Sequence, residues 1–227
     1  MNISIIDDWL NADCFIFEEN PNDVTLRAEH TIASLDGTGS NDRIEARFGR
    51  MDIDAGAGDD VVTAAYGEFE LDGGAGDDRM ALRFGSGSLS GGVGNDVLVA
   101  EYASARLSGG AGDDLIVARY ASGTIDGGAG DDCVAVAYGE FETSGGAGND
   151  MFVFRYASGT VSGGAGDDTI LAENAFVTAL YAGDASDFQV ETCDDGVRVT
   201  DLVGDQGSDL LVGVAQIQFD DGFVWLG

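Results

Sequence analysis

The chain has 227 residues and a formal net charge of −32, with 42 acidic residues against ten basic ones, all of them arginine. That balance excludes recognition of nucleic acid or of an anionic membrane surface, since both need a basic face. Strongly acidic chains are often disordered. Here 44% of residues are hydrophobic and they recur in register with the glycines, which argues for an ordered fold.

The N-terminal stretch, MNISIIDDWLNADCF, has neither a basic segment nor a long apolar one, so it does not read as a secretory signal peptide. No apolar run is long enough to span a membrane. His30 is the one histidine, so an imidazole-based zinc or catalytic site lacks partners. Cys14, Cys133 and Cys193 are far apart and have neither metal-type nor redox-type spacing. They read as unpaired thiols, with an intermolecular disulfide as the alternative.

From residue 36 the chain repeats every 18 residues. The loops are DGTGSND at 36, DAGAGDD at 54, DGGAGDD at 72, SGGVGND at 90, SGGAGDD at 108, DGGAGDD at 126, SGGAGND at 144 and SGGAGDD at 162. Eight loops at one spacing suit a solenoid, in which an insertion would break the stacking register. After each loop comes an apolar column: Ile44, Val62, Met80, Leu98, Ile116, Val134, Phe152, Ile170. Two residues on lies a second: Ala46, Ala64, Leu82, Ala100, Ala118, Val136, Phe154, Ala172. Two further on lies a third: Phe48, Tyr66, Phe84, Tyr102, Tyr120, Tyr138, Tyr156. Spacing by two is the strand period, so all three columns are expected on the inner face of a coil. Ile53, Leu71, Leu89, Leu107, Ile125 and Val161 form the opposing wall, with Thr143 as its one polar member. Each coil is then two short strands joined by two turns, and eight coils stacked in parallel give a rod of roughly 40 Å. The outward column Arg47, Ala65, Arg83, Glu101, Arg119, Ala137, Arg155 predicts an Arg83–Glu101–Arg119 charge ladder worth a few tenths of a kcal/mol per pair.

The loops align Asp42, Asp60, Asp78, Asp96, Asp114, Asp132, Asp150 and Asp168 in one column. The residue before each is Asn41, Asn95 or Asn149 in three loops and Asp59, Asp77, Asp113, Asp131 or Asp167 in the other five. At roughly 5 Å in water, neighbouring unit charges repel by about 0.8 kcal/mol, and by more at lower dielectric. Such a column predicts cations between the coils. The donors are hard oxygens: the eight carboxylates, and backbone carbonyls that the glycines let converge. The expected carbonyls are those of Gly73, Ala75, Gly91, Val93, Gly109, Ala111, Gly127, Ala129, Gly145, Ala147, Gly163 and Ala165. Flexible oxygen ligands at high coordination suit Ca²⁺ better than Mg²⁺. Eight loops give about seven inter-coil sites.

GGAGDDRMA, GGVGNDVLV, GGAGDDLIV and GGAGNDMFV match the nonapeptide G-G-x-G-x-D-x-U-x, U being a large apolar residue. The chain therefore resembles the RTX (repeats-in-toxin) family, whose repeats form a calcium-binding parallel β-helix. The resemblance covers residues 36 to 172. Thr38 and Ser40 in the first loop and Ala55 in the second depart from the glycine pattern. A larger departure is that every second nonapeptide is replaced by a segment such as RYASGTID or AYGEFETS, which lacks the Asp. The implied fold is all-β: a right-handed parallel β-roll of 18-residue coils with calcium along one edge, capped at both ends. Residues 1–35 are expected as the N-terminal cap, 36–172 as the roll and 173–227 as a C-terminal β cap. In the cap, Phe188, Val190, Val197 and Val199 flank an Asp-Gly turn and read as a hairpin. The resemblance further implies a type I secretion signal near the C-terminus and an extracellular location.

The repeat fills most of the chain and no nucleophile–base pair is visible, so no enzymatic activity is expected. The expected role is a calcium-rigidified structural component that assembles into homo-oligomers or filaments. The alternatives are an accessory module of a secreted enzyme and a ligand-binding solenoid facing polysaccharide or a cell surface.

Overall fold

The computed structural model describes residues 3–5, 18–20, 23–29 and 32–226. Most of the expected N-terminal cap, residues 1–35, lies outside these residues, as do Cys14 and His30. The described chain is all-β apart from a 3-10 turn at Ala185–Asp187. It is a solenoid of about eight turns in which two kinds of strand alternate. Five-residue strands such as Val97–Glu101 follow the Asp, and eight-residue strands such as Ser104–Ala111 lead into the next glycine loop. Each pairs in parallel with its equivalent 18 residues on, with Leu98 opposite Ile116 in one sheet and Leu107 opposite Ile125 in the other. Every repeat therefore places the same residue type at the same height, which keeps the register unique.

The parallel ladders run beyond the eight loops. Upstream, Asp23–Glu29 pairs with Arg43–Arg47 and Ile32–Thr38 with Arg50–Gly56. Downstream, Ser208–Val212 pairs with Thr169–Glu173 and Gln216–Phe219 with Phe176–Leu180, so the tail contributes one more coil. The expected hairpin is present. Phe188–Cys193 and Gly196–Asp201 pair antiparallel, and the second strand pairs antiparallel with Ser208–Val212, ending that sheet. Gln216–Phe219 and Gly222–Trp225 end the other sheet in the same way. Parallel edges are thus closed by antiparallel strands, which blunts their capacity to template another chain.

The first two apolar columns and the opposing wall are buried as expected, from Ile44 to Ile170 and from Ile53 to Val161, except that Ala172 at the end of the second column is half-buried. The third column is not. Phe48, Tyr66, Phe84, Tyr102, Tyr120, Tyr138 and Tyr156 are 41–54% exposed. Each adopts a positive φ between 50° and 61°. That left-handed residue turns the chain and interrupts the strand alternation, so two consecutive side chains, Glu101 and Tyr102 for example, point outward. The inward place passes to the next residue, which is small: Ala103, Ala121 and Ala157 are buried there. The rings instead stack on one another outside the turn, with centroids 4.8–5.2 Å apart and planes within 14° of parallel. Asn174 continues the column at φ 50°, and asparagine tolerates this region better than most residues.

Turn sequence and core size vary together. Where the turn reads Tyr-Gly-Glu-Phe, the phenylalanine (Phe69 or Phe141) fills the coil and the residue two places before it is glycine. A Cβ on Gly67 would come within 2.8 Å of the Phe69 ring. Where the turn reads Tyr-Ala-Ser, the residue two places after the alanine is Ala105, Gly123 or Gly159. A glycine thus accompanies each such phenylalanine, whereas the alanine turns place two small residues in succession on the inner face.

The predicted charge ladder forms. Glu101 pairs with Arg83 at 3.0 Å and with Arg119 at 3.8 Å, and Arg155 pairs with Glu173 at 3.0 Å. These exposed pairs fix register more than they stabilise.

Candidate metal centre

The glycine loops turn the chain at the edge opposite the aromatic stack. In each regular loop two glycines take positive φ, Gly110 and Gly112 for example, at 119° and 128°. The eight aspartates of the predicted column are 0–3% exposed, so they face into the edge of the coil rather than lying on its surface. One oxygen of each carboxylate is committed. The amide of Asp60 donates to Asp78 Oδ1 at 2.7 Å, that of Asp78 to Asp96 Oδ1 at 2.8 Å, and the pattern continues to Asp168. In seven of the eight the other oxygen is not committed. Oδ2 of Asp60, Asp78, Asp96, Asp114, Asp132, Asp150 and Asp168 is buried without a hydrogen-bond partner. Seven ionisable oxygens in that condition are far outside what folded proteins tolerate unless something binds them.

The surroundings fit a cation. A Cβ on Gly73 would meet Asp78 Oδ2 and lie 2.6 Å from the carbonyl oxygen of Gly91 in the next coil. Gly91 stands in the same relation to Asp96 Oδ2 and to the Gly109 carbonyl, at 2.5 Å. The relation continues through Gly109, Gly127 and Gly145, so the carbonyls of Gly91, Gly109, Gly127, Gly145 and Gly163 each face a carboxylate of the preceding coil. The absent side chain therefore leaves a cradle where a carboxylate oxygen and a carbonyl oxygen from successive coils converge. Of the other predicted carbonyls, Ala75, Val93, Ala111, Ala129, Ala147 and Ala165 each accept one inter-coil amide at 2.8–2.9 Å and keep a second lone pair. Among the described residues no three His, Cys, Asp or Glu side chains form a metal-binding group. A cation here takes one carboxylate per coil and otherwise backbone oxygen, which is a donor set for a hard ion of flexible coordination.

Without a cation seven of these carboxylates keep their protons to higher pH than an ordinary carboxylate. Burial pushes Asp132 up to about 7, and Asp60, Asp78, Asp114 and Asp168 up to about 6; neighbouring carboxylates add to the rise, and the inter-coil amides oppose it. Asp96 and Asp150 are raised for the same leading reason.

A second ladder runs beside the first with opposite polarity. The amide of Asp77 donates to Asp59 Oδ1, that of Asn95 to Asp77 Oδ1, and that of Asp113 to Asn95 Oδ1, at 2.8–3.0 Å. Here the side chain accepts from the coil after it, whereas in the buried ladder it accepts from the coil before it. Adjacent coils are clipped from both directions. An amide oxygen serves the outer position as well as a carboxylate does, which accounts for Asn41, Asn95 and Asn149 among the aspartates.

Three participants lie outside the expected column. Asp209, 1% exposed, is a ninth rung: its Oδ1 accepts the amide of Asp168 at 2.9 Å. Tyr181 donates its hydroxyl to Asp209 Oδ2 at 2.8 Å. Thr38 donates to Asp42 from its amide, at 2.5 Å to Oδ2, and from its hydroxyl. A signal for Asp209 exists, since GSDLLV at 207–212 repeats GDDLIV at 112–117, but it sits 41 residues after Asp168 instead of 18.

Comparison with known proteins agrees with this geometry. The family model of the RTX calcium-binding nonapeptide repeat matches four stretches, residues 36–67, 70–89, 83–116 and 158–174. No curated protein matches the chain. The loops at Asp132 and Asp150, between the matched stretches, have the same ladder and the same cradles as their neighbours. Buried aspartates in register, glycine cradles and the matched nonapeptides together make these coils similar to an RTX β-roll, and the matched repeats are of the calcium-binding kind.

Proposed function

We propose that this protein is a secreted calcium-binding β-roll that takes up about seven ions between its coils, becomes rigid as it does so, and serves as a self-assembling structural component outside the cell. The observation that carries the calcium reading is the row of seven buried carboxylate oxygens without partners. Metal binding that satisfies them is folding energy. A chain that lacks calcium in the cytosol stays loose there and orders on export; RTX repeats are typical of secreted proteins, and no helix of the described chain is long and apolar enough to cross a membrane. The tail beyond the last coil is assigned the type I secretion signal on family resemblance.

Assembly rests on the outer surface of the five-residue strands. Val97, Val99, Leu115, Val117, Cys133, Ala135, Met151 and Val153 occupy its outward positions, with Leu115 and Met151 exposed and the others half-buried. An apolar band on a chain of charge −32 is the kind of patch that marks an interface. Calcium acts on it twice, by ordering the band and by lowering the repulsion between copies. No catalytic role is assigned. Circular dichroism in excess chelator and at millimolar calcium tests the folding step, with β-structure gained on calcium addition. Light scattering tests assembly: it rises with calcium, and Val117→Glu suppresses the rise. A protein that stays monomeric throughout leaves a calcium-binding roll serving as an accessory module or as a surface for polysaccharide.

A further inference from the structure

Thr38 and Tyr181 stand at the two ends of the Asp row. Between them, seven Oδ2 atoms lack any partner. At the first rung, Oδ2 of Asp42 accepts the amide of Thr38 at 2.5 Å and its hydroxyl at 3.0 Å. Thr38 occupies the place that the following loops give to glycine, Gly56 or Gly74 for example. At the ninth rung, Oδ2 of Asp209 accepts the hydroxyl of Tyr181 at 2.8 Å. Tyr181 is 5% exposed and packs on Phe188 and Phe219 at 5.3 and 5.9 Å, so it is held in place by the cap.

We infer that the chain itself closes the ion row at both ends, with the Thr38 and Tyr181 hydroxyls standing where interior rungs take an ion, so that Asp42 and Asp209 bind none. The inference rests on the calcium reading above. The physical reason is geometric. An inter-coil ion draws oxygen from two successive coils, and Asp209 has no further coil to share one with; at the other end the next coil is present, since a Cβ on Gly37 would meet both Asp42 Oδ2 and the Ala55 carbonyl, and there Thr38 takes up the second oxygen of Asp42. At Asp209 a protein donor satisfies the carboxylate without a half-built site. The cradle already weakens at this end: the three atoms nearest to a Cβ on Gly163 all belong to Asp168, and no carbonyl of a following coil lies within 2.9 Å. The tail supplies Asp209 through a loop reading Gly-Asp-Gln-Gly-Ser, without the paired glycines of the regular loops. The rung is thus kept for its inter-coil hydrogen bond and excluded from metal binding.

The test is ion counting on the full chain, by equilibrium dialysis against calcium with elemental analysis, alongside the calcium midpoint for folding. Asp209→Asn and Asp42→Asn keep the oxygen that accepts or faces the neighbouring donors. Both should match the wild type in ion count, with calcium midpoints within twofold of it. Asp114→Asn should lose at least one ion and raise the midpoint several-fold. Loss of an ion from Asp209→Asn or Asp42→Asn, with the wild type binding calcium, overturns this inference alone. A wild type that binds none overturns the calcium reading and this inference with it. Should either terminal variant fail to fold, anomalous scattering from crystals of the calcium-loaded wild type decides: a peak within coordination distance of Asp42 Oδ2 or Asp209 Oδ2 overturns the inference, and peaks restricted to the interior rungs support it.

Discussion

The amide of Asp114 donates to Oδ1 of Asp132, 18 residues away, at 2.8 Å, and Oδ2 of Asp132 is left buried with no partner. One carboxylate thus does two unlike jobs, clipping its own coil to the coil before it and presenting a charge that only a proton or a cation can satisfy. Replacing Asp132 by Ala removes both. It should cost about one to two ions and lower the thermal midpoint in calcium, because a ligand and an inter-coil hydrogen bond go together. Arg119→Ala, on the exposed charge ladder, should leave the ion count unchanged and shift stability by no more than about 0.5 kcal/mol. Isothermal titration and thermal melts compare the two; equal losses of ions would refute the assignment of edge and outer face.

The metal-free coils should be more stable in mild acid. A carboxylate with a raised folded pKa binds more protons folded than unfolded, so stability falls as pH climbs through the window between the two values. For Asp132 that window runs from 3.8 to about 7, and for Asp60, Asp78, Asp114 and Asp168 from 3.8 to about 6. In chelator the β-structure remaining at pH 5.0 should therefore exceed that at pH 7.5. At saturating calcium the order should reverse, since the ion needs the deprotonated form. A chelator-treated protein that grows more stable towards pH 7.5 contradicts the burial of these groups.

Thr143 interrupts an otherwise aliphatic wall, and its hydroxyl is buried without a partner. The equivalent residue one coil on is Val161, fully buried. Thr143→Val keeps the shape and removes the unsatisfied group, so it should stabilise the roll by about 1 kcal/mol. For a chain of this size that is roughly 2–4 °C in melting temperature. A neutral or lower melting point would show that the hydroxyl has found a partner.

The aromatic turn separates packing from backbone conformation. Tyr120 has φ 50° and stacks between Tyr102 and Tyr138 at 4.9 and 4.8 Å. Tyr120→Asn loses both stacks, each worth about 0.5–1.5 kcal/mol, but tolerates the left-handed backbone. Tyr120→Val loses the stacks and adds the strain of a β-branched residue at positive φ, roughly 1–2 kcal/mol more. Denaturant melts should therefore rank Val below Asn. A buried core position would rank them the other way.

The sequence by itself determined the coil. Its 18-residue period sets the strand register, its two inner columns and opposing wall set the core, and its aspartates set one edge. The Arg83–Glu101–Arg119 ladder followed from residue spacing alone, because in a solenoid residues 18 apart become neighbours. What pattern could not decide was the direction of Tyr102 and its equivalents. Spacing by two holds only while the backbone stays extended, and a single positive φ at the turn sends an apolar ring outward and a small alanine inward. Nor could pattern place Asp209 on the ladder or Tyr181 against it. The excursion between Asp168 and Asp209 spans 41 residues, and only the folding of the cap brings that rung back into register and sets a buried hydroxyl on its second oxygen. Repetition made the interior legible, since each coil copies the last. The ends depend on contacts made once, and those exist only in the tertiary structure.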